Sequence, residues 1–252
     1  MQIIIQHMKK YLPILLIGTL VLFMSSCSKK NDTTVPVELS EYFPLEPGKY
    51  ITYNLDSLVF INFGSSSVIR SYQVKYEVDA LIGDSLGVKT YRIFRYIRNT
   101  ESNPWQPDAT FMASSAKNSI QFVENNQRFI KLAFPLTNGF SWKGNSYIDT
   151  YSSNSEFQYL DDWDYVYDSI GAPINIGNIS LDNTIIVNQR DEIIGEPSDP
   201  GAYSEVNYSK EKYAKGIGMV YRNFFHSEYQ PGNGGYIADG SYGITLTMID
   251  HN

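Results

Sequence analysis

Apolar and polar residues alternate along much of this chain after residue 48, and this pattern restricts its fold more than any other feature. In residues 68–79, one set of alternate positions is mostly apolar and contains Val68, Arg70, Tyr72, Val74, Tyr76 and Val78. The intervening positions are mostly polar. Because successive side chains of a β-strand point to opposite faces, a period of two predicts a half-buried strand.

The same pattern recurs in segments rich in Tyr, Ile, Val, Phe and Thr, the residues that favour strands. Five segments are closely similar to residues 68–79, namely 50–60, 88–98, 119–124, 127–134 and 242–249. Less regular segments occupy residues 157–167, 181–189, 203–213 and 219–225, and residues 205–214 are the only short-helix candidate. Nine or ten closely spaced strands predict an all-β fold, a single antiparallel barrel, half-barrel or sandwich with little helix.

Turn-forming residues separate several of these segments. The sequences GDSLG at residues 83–87 and ENNQ at residues 124–127 have the chemistry of hairpin turns between consecutive strands. Two further turns are similar to each other, FPLEPG at residues 43–48 and FPLTNG at residues 134–139. Because the similarity is confined to these short segments, we interpret them as one strand-entry turn used twice within a single domain.

Composition and charge exclude several classes of protein. Aromatic residues make up 14% of the chain and charged residues only 19%, which indicates a folded rather than a disordered protein. The net charge of −7 argues against a nucleic-acid partner, because proteins that bind nucleic acids generally present a basic surface. One cysteine excludes an intramolecular disulfide and a Cys-cluster metal site. Three histidines leave little material for a His-built zinc site, and we expect no cofactor.

The amino terminus has the pattern of a secretory signal peptide over residues 1–26. Lys9 and Lys10 precede an apolar run at residues 11–24, and the small residues Ser25 and Ser26 follow it. The apolar run is shorter than the roughly 20 residues that a membrane-spanning helix needs. Met8 is an alternative start, because it places the two lysines directly after the initiator.

The sequence MSSC at residues 24–27 resembles the lipobox of bacterial lipoproteins. The resemblance implies cleavage before Cys27, lipidation of its sulfur and acylation of the new amino group, with palmitate among the acyl chains. Several acyl chains anchor a protein to a membrane far more firmly than one does. We expect residues 27–40 to form the lipidated cysteine and a flexible tether, and residues 41–252 to form the β domain. Ser28 after the cysteine fits sorting to the Gram-negative outer membrane.

Two segments of the predicted β domain carry a second resemblance. YFPLEPGKY at residues 42–50 and YAKGIGMVY at residues 213–221 are similar to the opening and closing motifs of a family of uncharacterised Gram-negative envelope lipoproteins. These motifs bracket most of the chain after the predicted cleavage site. The resemblance implies a β-rich envelope protein and assigns no chemistry to it.

Candidate ligand-binding residues are two tryptophans in or beside predicted loops. Trp105 and Trp142 each combine an apolar ring with a polar N–H, which suits carbohydrate stacking and protein interfaces. A weaker metal candidate is the acidic cluster at residues 161–168, where Asp162, Asp164 and Asp168 can supply carboxylates to calcium only if the chain loops. On a strand, these three would share one exposed face, with Trp163, Tyr165 and Tyr167 buried on the other.

Three Asp-Ser-aliphatic sequences resemble an O-glycosylation signal of some Gram-negative envelope proteins, which makes Ser57, Ser85 and Ser169 candidates for modification. No catalytic residues are assigned, because the sequence has no Gly-x-Ser-x-Gly elbow, Walker loop or His-Glu-x-x-His motif.

The sequence therefore predicts a lipid-anchored envelope lipoprotein that acts as a non-enzymatic binding or structural module. Its expected partners are the membrane, through the anchor, and an unknown protein, glycan or apolar ligand. A closed barrel would bind an apolar ligand inside, in the manner of a lipocalin-like carrier, whereas a sandwich would present loops. The remaining alternative is a carbohydrate-active enzyme, which would need two carboxylates across a cleft.

Overall fold

The computed structural model describes residues 38–252. Fifteen strands follow one another along this part of the chain: β1 (Tyr50–Ile61), β2 (Ser66–Ser85), β3 (Val88–Arg98), β4 (Gln106–Ala116), β5 (Ser119–Glu124), β6 (Gln127–Ala133), β7 (Ser141–Lys143), β8 (Asp164–Ile170), β9 (Ile174–Ile176), β10 (Ile179–Leu181), β11 (Thr184–Gly195), β12 (Ser204–Ala214), β13 (Gly218–Gln230), β14 (Tyr236–Ile237) and β15 (Tyr242–His251). The helical segments among the described residues are three 3-10 turns, Leu39–Glu41, Gln158–Leu160 and Gly232–Gly234. None of them has the length and apolar character of a membrane span.

One antiparallel sheet contains all the strands except β9 and β10, which form a separate hairpin. Its strand order is β6-β5-β4-β3-β2-β1-β15-β13-β12-β11-β8-β7, with β14 paired to β13. The sheet curls into a nearly closed barrel, so that its two edge strands approach each other. The amide of Ile130 in β6 donates to the carbonyl of Gly144 after β7 at 2.8 Å, and the Trp142 indole donates to the Ile130 carbonyl at 2.8 Å. The predicted all-β antiparallel fold is confirmed, and its form is a barrel.

The hairpin turns have the geometry that their sequences predict. Leu86 and Gly87 join β2 to β3 with φ of +52° and +78°, and Asn125 and Asn126 join β5 to β6 with φ of +49° and +63°. Positive φ at both central residues matches the right-handed twist of the flanking strands. Gly48 and Gly139 also have positive φ, and the two strand-entry turns lead into β1 and β7.

Most predicted strands are present, and three differences from the prediction are informative. Residues 205–214 belong to strand β12 rather than to the short helix that the sequence suggested, because the inward side chains of this strand are buried inside the barrel. Strand β4 was missed, because Pro107 and a run of small residues obscure its alternation. In residues 157–167, a 3-10 turn precedes β8, which begins only at Asp164.

The described domain includes residues that the sequence assigned to the tether. Leu39 lies in the first 3-10 turn with only 4% of its surface exposed, and it packs in the same core cluster as Tyr42. The amide of Gly216, in the β12–β13 turn, donates to the carbonyl of Glu41 at 2.6 Å. Cys27 and the predicted signal peptide lie outside the described residues.

Candidate ligand-binding cavity

The barrel contains a cavity with an accessible volume of about 280 Å³. Its walls are mainly aromatic and aliphatic, and the aromatic contributors are Tyr76, Phe111, Phe129, Phe157, Tyr159, Trp163, Tyr165, Phe224 and Tyr242. The exposed Asn125 of the β5–β6 turn also lines it, which places an opening beside that turn. A volume near 300 Å³ is at the lower end of the range of small-molecule sites.

Alternation along the strands places these side chains inside. Leu55 of β1 lies opposite Leu246 of β15, and Leu246 lies opposite Arg222 of β13, so these three side chains share one face of the sheet. All three line the cavity. The strands therefore present their inward positions to a common interior.

The segment between β7 and β8 covers part of this interior. Its 3-10 turn carries Tyr159, whose ring stacks on His226 with centroids 3.8 Å apart and planes 13° from parallel. Trp163, which follows the turn, stacks on Phe224 at 6.1 Å and donates its indole N–H to the Tyr159 carbonyl at 2.7 Å. These contacts position two aromatic wall residues that lie outside the sheet.

Buried charged residues form the floor of the cavity. Lys131 Nζ lies 2.7 Å from Glu211 Oε1, and their side chains are 5% and 0% exposed. Arg222 Nη1 lies 2.8 and 2.9 Å from the two carboxylate oxygens of Glu124. The Tyr213 hydroxyl donates to the second oxygen of Glu211. The four charges form a compact network, because Lys131 also lies 3.7 Å from Glu124 and Arg222 lies 3.7 Å from Glu211.

The pairing of Glu124 with Arg222 shifts the pKa values of both groups towards their charged forms. Burial raises the pKa of Glu124, but the attraction of Arg222 and Lys131 outweighs it and lowers that pKa to about 2. Burial also lowers the pKa of Arg222, but Glu124 and Glu211 outweigh this effect and raise it above its usual value. Glu124 and Arg222 are therefore held in their charged forms by their neighbours.

A second, smaller cavity of about 60 Å³ lies on the other side of these charges. It is lined by Tyr76, Glu124, Lys131 and Arg222, which also line the larger cavity. Its remaining lining includes Phe43, Pro44 and Leu45 of the strand-entry turn before β1. The charged network thus separates the two cavities, and the amino-terminal turn closes the smaller one.

No protein-family model matches the chain, and no curated protein sequence matches it significantly. An argument about function therefore depends on the chemistry of the cavity itself.

The two tryptophans proposed as ligand contacts lie away from the cavity lining. Trp142 is half-buried in the seam between β6 and β7, where its ring centroid is 4.6 Å from that of Tyr167. Trp105, in the β3–β4 loop, is covered by the Arg98 guanidinium at 4.2 Å from its ring centroid. The structure does not bring the two residues into a common site within either cavity.

From Asp164 onwards the acidic segment forms strand β8 as alternation predicts, whereas Asp162 lies in the turn before it with φ of +55°. Trp163, Tyr165 and Tyr167 are buried, whereas Asp162, Asp164 and Asp168 are exposed. Lys143 forms ion pairs with Asp162 and Asp164, the second at 3.1 Å. Across residues 38–252, no group of three or more His, Cys, Asp or Glu side chains is arranged to hold a metal ion.

The three candidate glycosylation serines differ in their accessibility. Ser85 is exposed at the end of β2, and Ser169 is half-buried in β8. Ser57 is half-buried in β1 and lines the larger cavity, so a glycan on its hydroxyl would compete with anything bound there.

Sequence reasoning missed the charged floor. Alternation along the strands could have revealed these charges. Glu211 is two residues from the buried Tyr213 and Arg222 is two residues from the buried Phe224, so each charged side chain shares the inward face of its strand. A charged residue at an inward position of a strand indicates a buried partner. Identifying Lys131 and Glu124 as those partners requires the barrel.

Proposed function

We propose that this protein is a lipid-anchored cell-envelope lipoprotein that acts as a binding module and holds a small, largely apolar ligand inside its barrel. The single observation that carries the proposal is the cavity of about 280 Å³ with aromatic walls. Aromatic and aliphatic side chains with a few convergent polar groups are typical of small-molecule sites. Among the possibilities that the sequence left open, this geometry favours the lipocalin-like carrier.

The cavity chemistry favours binding over carbohydrate hydrolysis. Among the described residues that line the cavity, Glu124 is the one with a carboxylate side chain, and the pKa of this carboxylate is lowered to about 2. A glycosidase needs a general acid whose pKa is raised so that it still carries a proton at working pH. Glu124 is ionised there and is already bound by Arg222, so it supports an ion pair rather than proton transfer.

The envelope location is the second part of the proposal. It is supported by the signal-peptide pattern of residues 1–26 and by the lipobox-like sequence that ends at Cys27. We propose attachment to the Gram-negative outer membrane through this cysteine, with the membrane as one partner and the barrel ligand as the other. Lipidation at Cys27 would leave a short segment before the first described residue, Glu38.

Mass spectrometry of the protein purified from a bacterial envelope tests the binding proposal. An additional mass that is present under native conditions and absent under denaturing conditions is the expected result. A Ser57→Phe variant places a bulky ring in the cavity lining and should lose this mass, whereas Ser67→Phe, at an exposed position of β2, should keep it. Equal retention by both variants would place the ligand outside the barrel and contradict the proposal.

A further inference from the structure

We propose that the tip of the β2–β3 hairpin docks on the phospholipid bilayer that carries the lipid anchor, and that this contact fixes the orientation of the barrel at the membrane. This inference rests on the proposed function, because it takes lipidation at Cys27 as the means of attachment. It follows from three observations, which are the exposed apolar residues of the hairpin, the direction in which the hairpin points and the place where the described chain begins.

The tip of the hairpin exposes apolar side chains to solvent. Leu86 in the turn is fully exposed, and Ile82 and Val88 in the flanking strands are 48% and 36% exposed. Asp84 and Lys89, the charged residues nearest to the turn, lie opposite each other across the hairpin, so their charges offset. An apolar tip without net charge gains free energy when it leaves water for the lipid interface.

The turn itself does not explain the leucine. Leu86 has φ of +52°, in the left-handed region that Gly, Asn and Asp occupy at lower cost. Because its side chain is fully exposed, packing within residues 38–252 does not offset this conformation. An apolar contact outside the chain would do so.

The hairpin points towards the end of the barrel where β1 begins. Tyr50, the first residue of β1, lies opposite Glu77 of β2, so residues 78–85 of β2 continue past the start of β1. The amide of Gly48 donates to the carbonyl of Val78 at 2.8 Å. The segment that leads into β1 therefore runs beside the base of the hairpin.

The chain that leads back to the predicted anchor leaves the barrel at this same end. The carbonyl of Glu41 accepts a hydrogen bond from the β12–β13 turn, which lies at the end of the sheet where β1 starts. Eleven residue steps separate Cys27 from Glu38, and at full extension they span about 40 Å. A lipidated Cys27 therefore holds this end of the barrel near the bilayer, which is the partner that the hairpin tip meets first.

Lipidation and the hairpin make different contributions. Even a single acyl chain gives only marginal membrane binding, so a few exposed side chains do not hold the domain on a bilayer by themselves. Once the domain is tethered, docking of the hairpin is intramolecular and takes place at a high effective concentration. A small apolar contact is then enough to select one orientation, while attachment still depends on Cys27.

This orientation directs the opening of the larger cavity away from the membrane. Successive turns of an antiparallel meander alternate between the two ends of the sheet, so the β5–β6 turn lies at the opposite end from the β2–β3 turn. The larger cavity opens beside Asn125 of the β5–β6 turn. A ligand would therefore enter from the aqueous side rather than from the bilayer.

A fluorescent label at the hairpin tip tests the contact in the mature, lipid-anchored protein. Leu86→Cys is labelled with bimane and reconstituted into vesicles of phosphatidylethanolamine and phosphatidylglycerol. Because the sulfur of Cys27 is lipidated, the introduced thiol is the only free one. Phosphatidylcholine with brominated acyl chains quenches a label that lies in the bilayer, whereas iodide quenches a label that lies in water. Flotation of the vesicles confirms that the protein is anchored.

Phe63→Cys with the same label is the matched control. Phe63 is also almost fully exposed and has φ of +55°, but it lies in the β1–β2 turn at the opposite end of the barrel. Burial of a leucine-sized side chain favours the docked orientation by at least about tenfold. We therefore expect iodide quenching at residue 86 to be about tenfold weaker than at residue 63, and brominated lipid to quench only the label at residue 86. Adding Ile82→Ser should restore part of the iodide quenching.

The outcomes separate this inference from the proposed anchor. A protein that floats with the vesicles but whose two labels are quenched equally, by iodide or by brominated lipid, would overturn the docked hairpin and retain the anchor. A label at residue 86 that is protected from iodide and not quenched by brominated lipid would show that protein, such as a second copy of the chain, covers the tip instead. A protein that does not float would overturn the anchor and this inference together.

Discussion

Replacing Lys131 by methionine removes the ammonium group that pairs with Glu211 and keeps a long apolar side chain in its place. Glu211 is fully buried, and its remaining partners are the Tyr213 hydroxyl and Arg222, whose Nε is 3.7 Å away. Removing one member of a buried ion pair generally costs about 3–5 kcal/mol, because the other charge is left in a medium of low polarity. For a domain of this size, that loss lowers the unfolding temperature by about 10 °C.

A double-mutant cycle with Glu211→Gln isolates the contribution of the pair. The double variant Lys131→Met/Glu211→Gln removes both charges, so it should recover about 2–3 kcal/mol relative to the sum of the single variants. Urea unfolding followed by tyrosine and tryptophan fluorescence measures each free energy. Lys215→Met is the matched control, because Lys215 and Glu41 form a 3.0 Å pair whose side chains are 44% and 38% exposed. This exposed pair should contribute less than about 1 kcal/mol. Equal losses for Lys131→Met and Lys215→Met would refute the buried network.

Three further predictions concern pH, the barrel seam and the anchor. The folded-state pKa of Glu124 is about 2, whereas its ordinary value is near 4.3. Glu124 should therefore contribute about 3 kcal/mol to the free energy of unfolding above pH 5, and this contribution should be lost as the pH falls towards 2. Glu124→Gln should flatten this part of a stability–pH profile. Trp142→Phe removes the indole bond to the Ile130 carbonyl and should cost about 1 kcal/mol, with faster amide hydrogen exchange at Ile130; unchanged exchange would argue against the seam. Cys27→Ser should release the protein from the membrane fraction, and membrane retention equal to that of the wild type would contradict lipid anchoring.

The sequence predicted the class of fold because alternation is a local property. The bounds predicted for β3 and β5 agree with the structure, since each strand lies between clear turn signals and has β-favouring residues throughout. Strand β4 escaped prediction because Pro107, Ala109 and Ala113 provide little apolar contrast between its two faces. Neighbouring strands, rather than its own composition, hold it in the sheet.

Closure and the cavity could not be predicted, because both depend on contacts between distant parts of the chain. The seam joins Trp142 to Ile130 across the two edges of the sheet. The ion pair of Glu124 with Arg222 connects residues 98 positions apart. Such long-range pairings do not change the local alternation of apolar and polar residues. A charged residue at an inward position indicates that a partner exists but does not identify it. The emphasis on Trp105 and Trp142 followed from their loop positions, whereas the cavity uses Trp163.

A crystal structure of the protein purified from its own bacterial envelope tests the central claim most directly. The account predicts non-protein density inside the barrel, in contact with Phe111, Trp163 and Phe224. An interior that contains only protein side chains and water would contradict the claim that this barrel holds a ligand.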